Sequence, residues 1–264
     1  MEDNLEQQRL LIYCLDGFKV YRGQTLLPPQ KWQRQKVALL LKYLLVADKP
    51  VPRHVLVSEF WPHLDEPAAR HNLAVTLYNL RRTLRPQRKG GTSPLYVRSD
   101  ASYIELNRNN IAFYDVQAFK AFHREGVNAW TKGLWDQAVA ALTAANKLYQ
   151  TDFLADAVDE AWILEERTRL KDTRSDMLEH LAEVLIKLGR HQEAHLYAET
   201  LIQLDPCREE GHCMLMKILN ALGHRSQAIA QYQACKNILQ HELGLQPGPK
   251  TNNLYQQIVS GESH

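Results

Sequence analysis

The residues best suited to molecular recognition lie on one face of a helix that the sequence predicts at residues 68–85. On a helical projection, that face combines cations, amides and apolar groups: His71, Val75, Tyr78, Asn79 and Arg82. Arginine and asparagine side chains can read purine edges in the DNA major groove, and an apolar group can contact a thymine methyl. The face carries no acid, whereas an ordinary solvated helix face mixes Glu with Lys. We therefore predict that this helix reads double-stranded DNA.

A leucine stripe explains why those side chains should point outward. The leucines recur every three or four residues and fall within about 60° of one another at the helical period: Leu73, Leu77, Leu80 and Leu84. Asp65, Glu66 and Pro67 precede them, and acids with a proline in the first turn are typical of a helix start. The stripe predicts a buried face opposite the recognition face.

Asn79 and Arg82 are the first candidates for base contacts, with a wing at residues 98–103 on the adjacent backbone or minor groove. Near the first helix, Arg34 and Lys36 could anchor a phosphate. For each residue taken singly, a solvated-surface role is the alternative. The full predicted set of DNA-contacting residues is Arg34, Lys36, Arg70, His71, Asn72, Val75, Thr76, Tyr78, Asn79, Arg81, Arg82, Arg85, Arg98, Ser102 and Tyr103.

The elements that would position this helix are readable from hydrophobic periodicity and turn residues. Short apolar runs predict a small antiparallel sheet at residues 10–15, 18–21 and 25–27. Helical patterns follow at residues 35–47 and 53–60, ahead of the recognition helix. A hairpin is predicted from residues 95–98 and 103–106. Three helices, of which the third is amphipathic and basic, followed by a hairpin are typical of a winged helix.

From Asp115 onward the pattern is helical and repetitive. The segment 188–194 recurs at 222–228, an offset of 34 residues, and a weaker copy lies at 132–138. In each copy a glycine ends one helix, and an alanine five residues later allows the next helix to approach closely. Thirty-four residues is the tetratricopeptide period. A longer helix, roughly residues 159–188, interrupts the array.

Charge is distributed unevenly between the two parts. Residues 1–112 carry 17 lysines and arginines against 10 acids, a balance of +7, and the remainder carries 15 against 20, or −5, which gives the overall +2. A basic half joined to an acidic half suggests that one half meets a polyanion. No apolar run is long enough to span a membrane, the N-terminus is unlike a signal peptide, and the four cysteines show no paired spacing. We expect a cytoplasmic protein with reduced thiols.

Both halves resemble a known family, the Streptomyces antibiotic regulatory proteins. In the first half the resemblance rests on residues 15–20, 36–45, 60–61 and 77–84; in the second it rests on 114–119 and 242–249. It spans about residues 10–258. It implies a response-regulator-type winged helix followed by a bacterial transcriptional activator domain. RNA polymerase and a second copy on direct DNA repeats are the implied partners. Ser102 stands where the family's wing typically has a glycine, and no P-loop follows, so the chain is a short form or a piece of a longer regulator.

The predicted fold is therefore an α+β winged-helix domain at residues 1–110 and an all-α, tetratricopeptide-like domain at residues 111–264. The predicted function is a sequence-specific, DNA-binding transcriptional activator. The alternative is a protein-interaction scaffold, or a regulatory fragment of a larger signalling protein, without DNA binding of its own. We expect no enzyme activity and no cofactor, because the hydrolase, metalloprotease and nucleotide-binding motifs are missing. A zinc set is imaginable but lacks metal-site spacing: Cys207, His212, Cys213 and His224.

Overall fold

The structure is a computed structural model that describes residues 8–32, 35–85, 96–157 and 160–261. The chain divides into two compact units. The first unit is Met1–Asp115 with Phe153–Glu166, and the second unit is Val116–Asp152 with Arg167–His264. The predicted domain boundary between residues 110 and 111 stays a prediction. It treats each domain as one continuous stretch of chain, whereas the first compact unit also includes Phe153–Glu166.

The first unit opens with a four-stranded sheet. Its strands, in the order β3-β2-β1-β7, are β1 (Leu10–Tyr13), β2 (Lys19–Arg22), β3 (Thr25–Leu26) and β7 (Ile111–Tyr114). Strands β1 and β2 are antiparallel, whereas β7 pairs parallel to β1. Strand β1 ends two residues before its predicted end at Leu15. The physical reason is that the amides of Cys14 and Leu15 both donate to the Asp115 carboxylate, each at 2.7 Å, instead of continuing the strand.

Three helices follow the sheet, as the leucine periodicity predicts. They are α1 (Gln35–Ala47), α2 (Arg53–Phe60) and α3 (Glu66–Leu84), and α3 packs on both α1 and α2. The leucine stripe of α3 is buried, with between 0 and 4% of each side chain exposed. The helix starts two residues earlier than predicted because Asp65 caps it, accepting a hydrogen bond from the Ala68 amide at 2.9 Å.

A second, three-stranded sheet forms the wing. It contains β4 (Val51–Pro52), β5 (Val97–Ser99) and β6 (Tyr103–Leu106) in the order β4-β6-β5. The hairpin β5–β6 confirms the predicted one, although the predicted start at Leu95 lies outside the described residues. Strand β4 was not predicted, since two residues that include a proline give no alternating pattern.

The second unit is built from helices. Along the chain these are α4 (Asp115–Thr131), α5 (Trp135–Leu148), α6 (Ala161–Lys187), α7 (His191–Leu204), α8 (Glu209–Ala221), α9 (Arg225–Leu243) and α10 (Pro249–Ser260), the first and third of which begin in the first unit. The repeat glycines Gly133, Gly189 and Gly223 have φ of 71°, 71° and 79°. This is the left-handed backbone conformation in which many right-handed helices end. The alanines five residues later are fully buried, which confirms the predicted close helix approach.

One helix pair in the second unit gives a stability prediction. A methyl group added at Gly126 in α4 would lie 2.5 Å from both Cγ and Cδ2 of Leu142 in α5. We expect Gly126→Ala to destabilise the protein by about 1–3 kcal/mol through overpacking, although alanine favours a helix. Urea denaturation of a double-mutant cycle with Leu142→Ala measures this effect. In the Leu142→Ala background the same glycine change should become neutral or stabilising; an unchanged cost would show that this contact is not its cause.

Candidate nucleic-acid interface

The outer face of α3 is open to solvent and carries the predicted recognition residues. His71 and Arg82 are exposed, Val75 and Tyr78 are 44% and 64% exposed, and Asn79 is half-buried. Tyr78 and Val75 are exposed apolar side chains three residues apart, so they lie on the same side of the helix. Their exposure beside a cation and an amide matches the needs of a groove that offers hydrogen-bonding base edges and methyl groups.

The single acid of α3 lies at its start and does not enter this face. Glu66 is in the first turn, where a negative charge favours the helix dipole, and it pairs with Arg70 one turn later. Both side chains are exposed. A phosphate would therefore compete with the Glu66 carboxylate for Arg70. Arg82 has no paired acid among the described residues of the helix.

Three predicted contacts are instead used by the fold. Thr76 is only 7% exposed, so we remove it from the recognition face. The ammonium of Lys36 donates to the Phe60 carbonyl at 3.0 Å and lies 5.5 Å from the centre of the Phe60 ring. The guanidinium of Arg81 donates to the Val97 carbonyl at 3.2 Å and to the Ser99 hydroxyl at 2.7 Å. Lys36 thus links α1 to the end of α2, and Arg81 links α3 to the wing. The predicted phosphate contact of Arg34 lies outside the described residues.

The wing turn is organised by one carboxylate. Asp100 accepts hydrogen bonds from the amides of Ser102 and Tyr103 at 2.7 and 2.8 Å. Its carbonyl accepts one from the Arg53 guanidinium at 2.8 Å. This Asx-type turn forms with serine at position 102, so the missing family glycine does not prevent it. It leaves Ser102, Tyr103 and Arg98 exposed, with Arg98 3.9 Å from Glu105.

These hydrogen bonds give a pH prediction. Amide donation from Tyr103 and then Ser102 lowers the pKa of Asp100 below its ordinary value of 3.8. A lowered acid pKa stabilises the folded turn above the ordinary pKa, and that contribution is lost as pH falls through the folded value. We expect a carbon-13 NMR titration of the Asp100 carboxyl to show a midpoint below 3.8 in the folded protein. A midpoint at or above that value would mean that the turn does not hold the carboxylate as described.

The sequence reasoning missed one residue that fixes the recognition helix. Arg22 in β2 donates to the carbonyls of Leu84 and Arg85 at 3.2 and 2.8 Å. A cation at a helix C-terminus satisfies free carbonyls and favours the helix dipole. No local pattern links a strand arginine to a helix end 62 residues later. Only the assembled sheet and helix show this contact.

Two of the four residues considered as a zinc set, His212 and Cys213, have other partners. The His212 ring contacts the Pro206 carbonyl through Nε2 at 2.9 Å and the Gln231 amide through Nδ1 at 2.7 Å. Burial raises the pKa of the Cys213 thiol, which contacts Thr251 at 3.3 Å. Within the ranges that the structure covers, no group of three or more His, Cys, Asp and Glu side chains is placed to hold a metal. Across the same ranges, none of the helices is both long and apolar enough to cross a bilayer.

The fold and this surface define a class: a winged helix with an open third helix, joined to tetratricopeptide-like helices. A family model for the bacterial transcriptional activator domain matches residues 114–259. The chain belongs to this family, and the predicted relation to the Streptomyces antibiotic regulatory proteins is confirmed.

Relatives extend over both halves of the chain. It is 26% identical over 247 residues to the regulatory protein DnrI of Streptomyces peucetius, covering 92% of this chain and 89% of DnrI. It is 28% identical over 224 residues to the transcriptional regulatory protein MoaR1 of Mycobacterium tuberculosis, covering 84% of this chain and 71% of MoaR1. The regulatory protein AfsR of Streptomyces griseus is 26% identical over 94% of this chain, which spans only 24% of AfsR.

A solved structure has the same fold. Mycobacterium tuberculosis EmbR, in complex with a low-affinity phosphopeptide, superposes with a TM-score of 0.83 at 24% identity. The match covers 97% of this chain and 66% of that one. The fold prediction, a winged helix followed by a helical-repeat domain, is thereby confirmed. The relatives are regulators of transcription, which is the general class that the sequence predicted.

Proposed function

We propose that this protein is a sequence-specific DNA-binding activator that reads the major groove with α3. The observation that carries the proposal is the exposed, acid-free face of a helix whose opposite face is a buried leucine stripe. Arg82 and Asn79 contact bases, and Val75 or Tyr78 contacts a thymine methyl. The positive balance of residues 1–112 attracts the phosphate backbone.

The remaining exposed candidates set the position of the protein on the duplex. His71, Arg70 and Arg85 lie along or at the end of α3, and the half-buried Asn72 lies at its edge. The wing turn presents Arg98, Ser102 and Tyr103 to the backbone beside the groove. Such contacts fix register and orientation without reading sequence.

The second unit contacts partner proteins in this proposal. A cavity of about 370 Å³ lies among α5, α6 and α7, and its wall includes Lys147, Arg190 and Tyr197. Concave surfaces between stacked helix pairs suit a peptide or protein partner. RNA polymerase is the proposed partner for activation, and a second copy binds beside the first on direct DNA repeats. Because bacterial DNA lies in the cytoplasm, this proposal implies that the protein acts there.

DNA binding is tested by fluorescence anisotropy with labelled fragments selected from a genomic library. We expect binding that weakens steeply between about 50 and about 200 mM salt, because counterions are released when phosphates are neutralised. Random fragments should bind more weakly than selected ones at the same salt. Failure to bind any fragment at low salt would support the alternative, a protein-interaction scaffold.

A further inference from the structure

A cavity in the first unit lies apart from the residues that we propose for DNA contact. It has a volume of about 600 Å³ and lies between β2, β3 and α1, with residues 156–157 at one side. Cavities of this size hold small organic molecules in other proteins. The wall is mainly apolar and aromatic, but it includes one buried cation, Lys42.

The cation is unusual for its surroundings. Lys42 is 7% exposed and is the one charged residue in the buried set of α1. Its ammonium lies 4.5 Å from the centre of the Phe18 ring. Within the described part of the chain, neither a hydrogen bond nor an ion pair reaches it. Because Lys42 lines the cavity, a ligand group that supplies a negative oxygen can pair with its ammonium.

The rest of the wall indicates what kind of group that would be. Phe18 and Trp32 pack edge to face with centroids 5.4 Å apart, and Tyr21 and Leu26 complete the apolar lining. Leu26 is 43% exposed at the cavity wall. Aromatic walls favour a flat aromatic body.

Two other charged groups also line the cavity. Lys19 is paired with Asp16 at 2.7 Å, which reduces its pull on a ligand. Asp156 is exposed, and its charge partly offsets the burial that lowers the pKa of Lys42. Asp156 would repel an anion, so its removal should favour one.

We propose that this cavity is a binding site for a small aromatic carboxylate, with the carboxylate paired to Lys42 and the ring packed against Phe18 and Trp32. The site would give this regulator a small-molecule ligand. It is independent of the proposed DNA contacts, because its residues lie outside the recognition face and its test contains no DNA.

The test titrates the full chain with 1-naphthoate and with the neutral 1-naphthamide by isothermal calorimetry. We expect saturable 1:1 binding of naphthoate, about tenfold tighter than that of the amide, since only the carboxylate adds an ion pair to the hydrogen bond with the ammonium. In Lys42→Met, which keeps the length of the side chain, the preference for the acid should disappear. In Asp156→Asn, naphthoate should bind more tightly and the amide equally well.

Circular dichroism and thermal unfolding establish that each variant is folded. If Lys42→Met does not fold, Leu26→Glu provides the test at an exposed position. It removes an apolar wall group for both ligands but adds a negative charge, so it should weaken naphthoate severalfold more than the amide. The proposal is wrong if the wild-type protein shows no saturable naphthoate binding or equal affinity for acid and amide. Octanoate, an aliphatic acid, is titrated in the same way, and binding as tight as that of naphthoate would overturn the aromatic assignment. An unchanged preference for naphthoate over the amide in folded Lys42→Met would overturn the role of Lys42.

Discussion

Arg82→Ala is expected to lower the preference of the protein for selected over random DNA by about 1–3 kcal/mol, the usual cost of losing a bidentate arginine contact to a guanine. The side chain is exposed on the outer face of α3 and meets no acid among the described residues of that face. It lies a turn beyond the half-buried Asn79, so both can face the same groove. Anisotropy titrations with selected and random duplexes give the ratio of affinities.

The matched control is Arg98→Ala in the wing. Arg98 is also an exposed arginine, but it lies beside Glu105 on a hairpin that we assign to the DNA backbone. Its loss should weaken selected and random DNA alike and reduce the salt dependence by about one counterion. If the two variants alter the affinity ratio equally, the reading face has been assigned to the wrong surface.

Asp115→Ala is expected to lower the free energy of unfolding by roughly 2–5 kcal/mol, because two buried amides would lose their acceptor. Asp115 is 1% exposed, and its carboxylate receives the Cys14 and Leu15 amides at 2.7 Å each. It also lies in the first turn of α4, where a negative charge is favourable. Urea denaturation followed by tryptophan fluorescence measures the change.

Asp136→Ala separates these two contributions. Asp136 also lies in the first turn of a helix, α5, but its side chain is exposed. We expect this variant to lose less than about 1 kcal/mol, since it removes only the helix-dipole effect and a solvent-screened attraction to Arg190. Equal losses in the two variants would show that the buried amides contribute little.

Periodicity gave most of the helices, because a buried stripe imposes a three-to-four spacing that can be read without coordinates. The bounds of α1 and α2 are those predicted, and α6 differs from the predicted helix by two residues at its start and one at its end. Strand β7 could not be found this way. Its four residues pair with a strand about 100 positions earlier, and no local pattern records that partner.

The set of DNA-contacting residues stays a prediction, and three of its members have a buried position or other partners for physical reasons. Thr76 lies three residues after Leu73 and four before Leu80, so the same periodicity that located the stripe places it at the buried side. That signal was available in the sequence. The bonds of Arg81 to the wing and of Lys36 to the end of α2 depend on tertiary packing. They become visible only when the hairpin and the helices are assembled.

The inner and outer faces of α3 differ in how much they contribute to folding. Leucines on the inner side maintain the scaffold, while His71, Val75, Tyr78 and Arg82 extend into solvent. Substitutions at these outer positions should therefore cost little folding stability. Arg81 is the exception, because it fastens the helix to the wing. Variants that alter the outer face of the helix should therefore leave Arg81 unchanged.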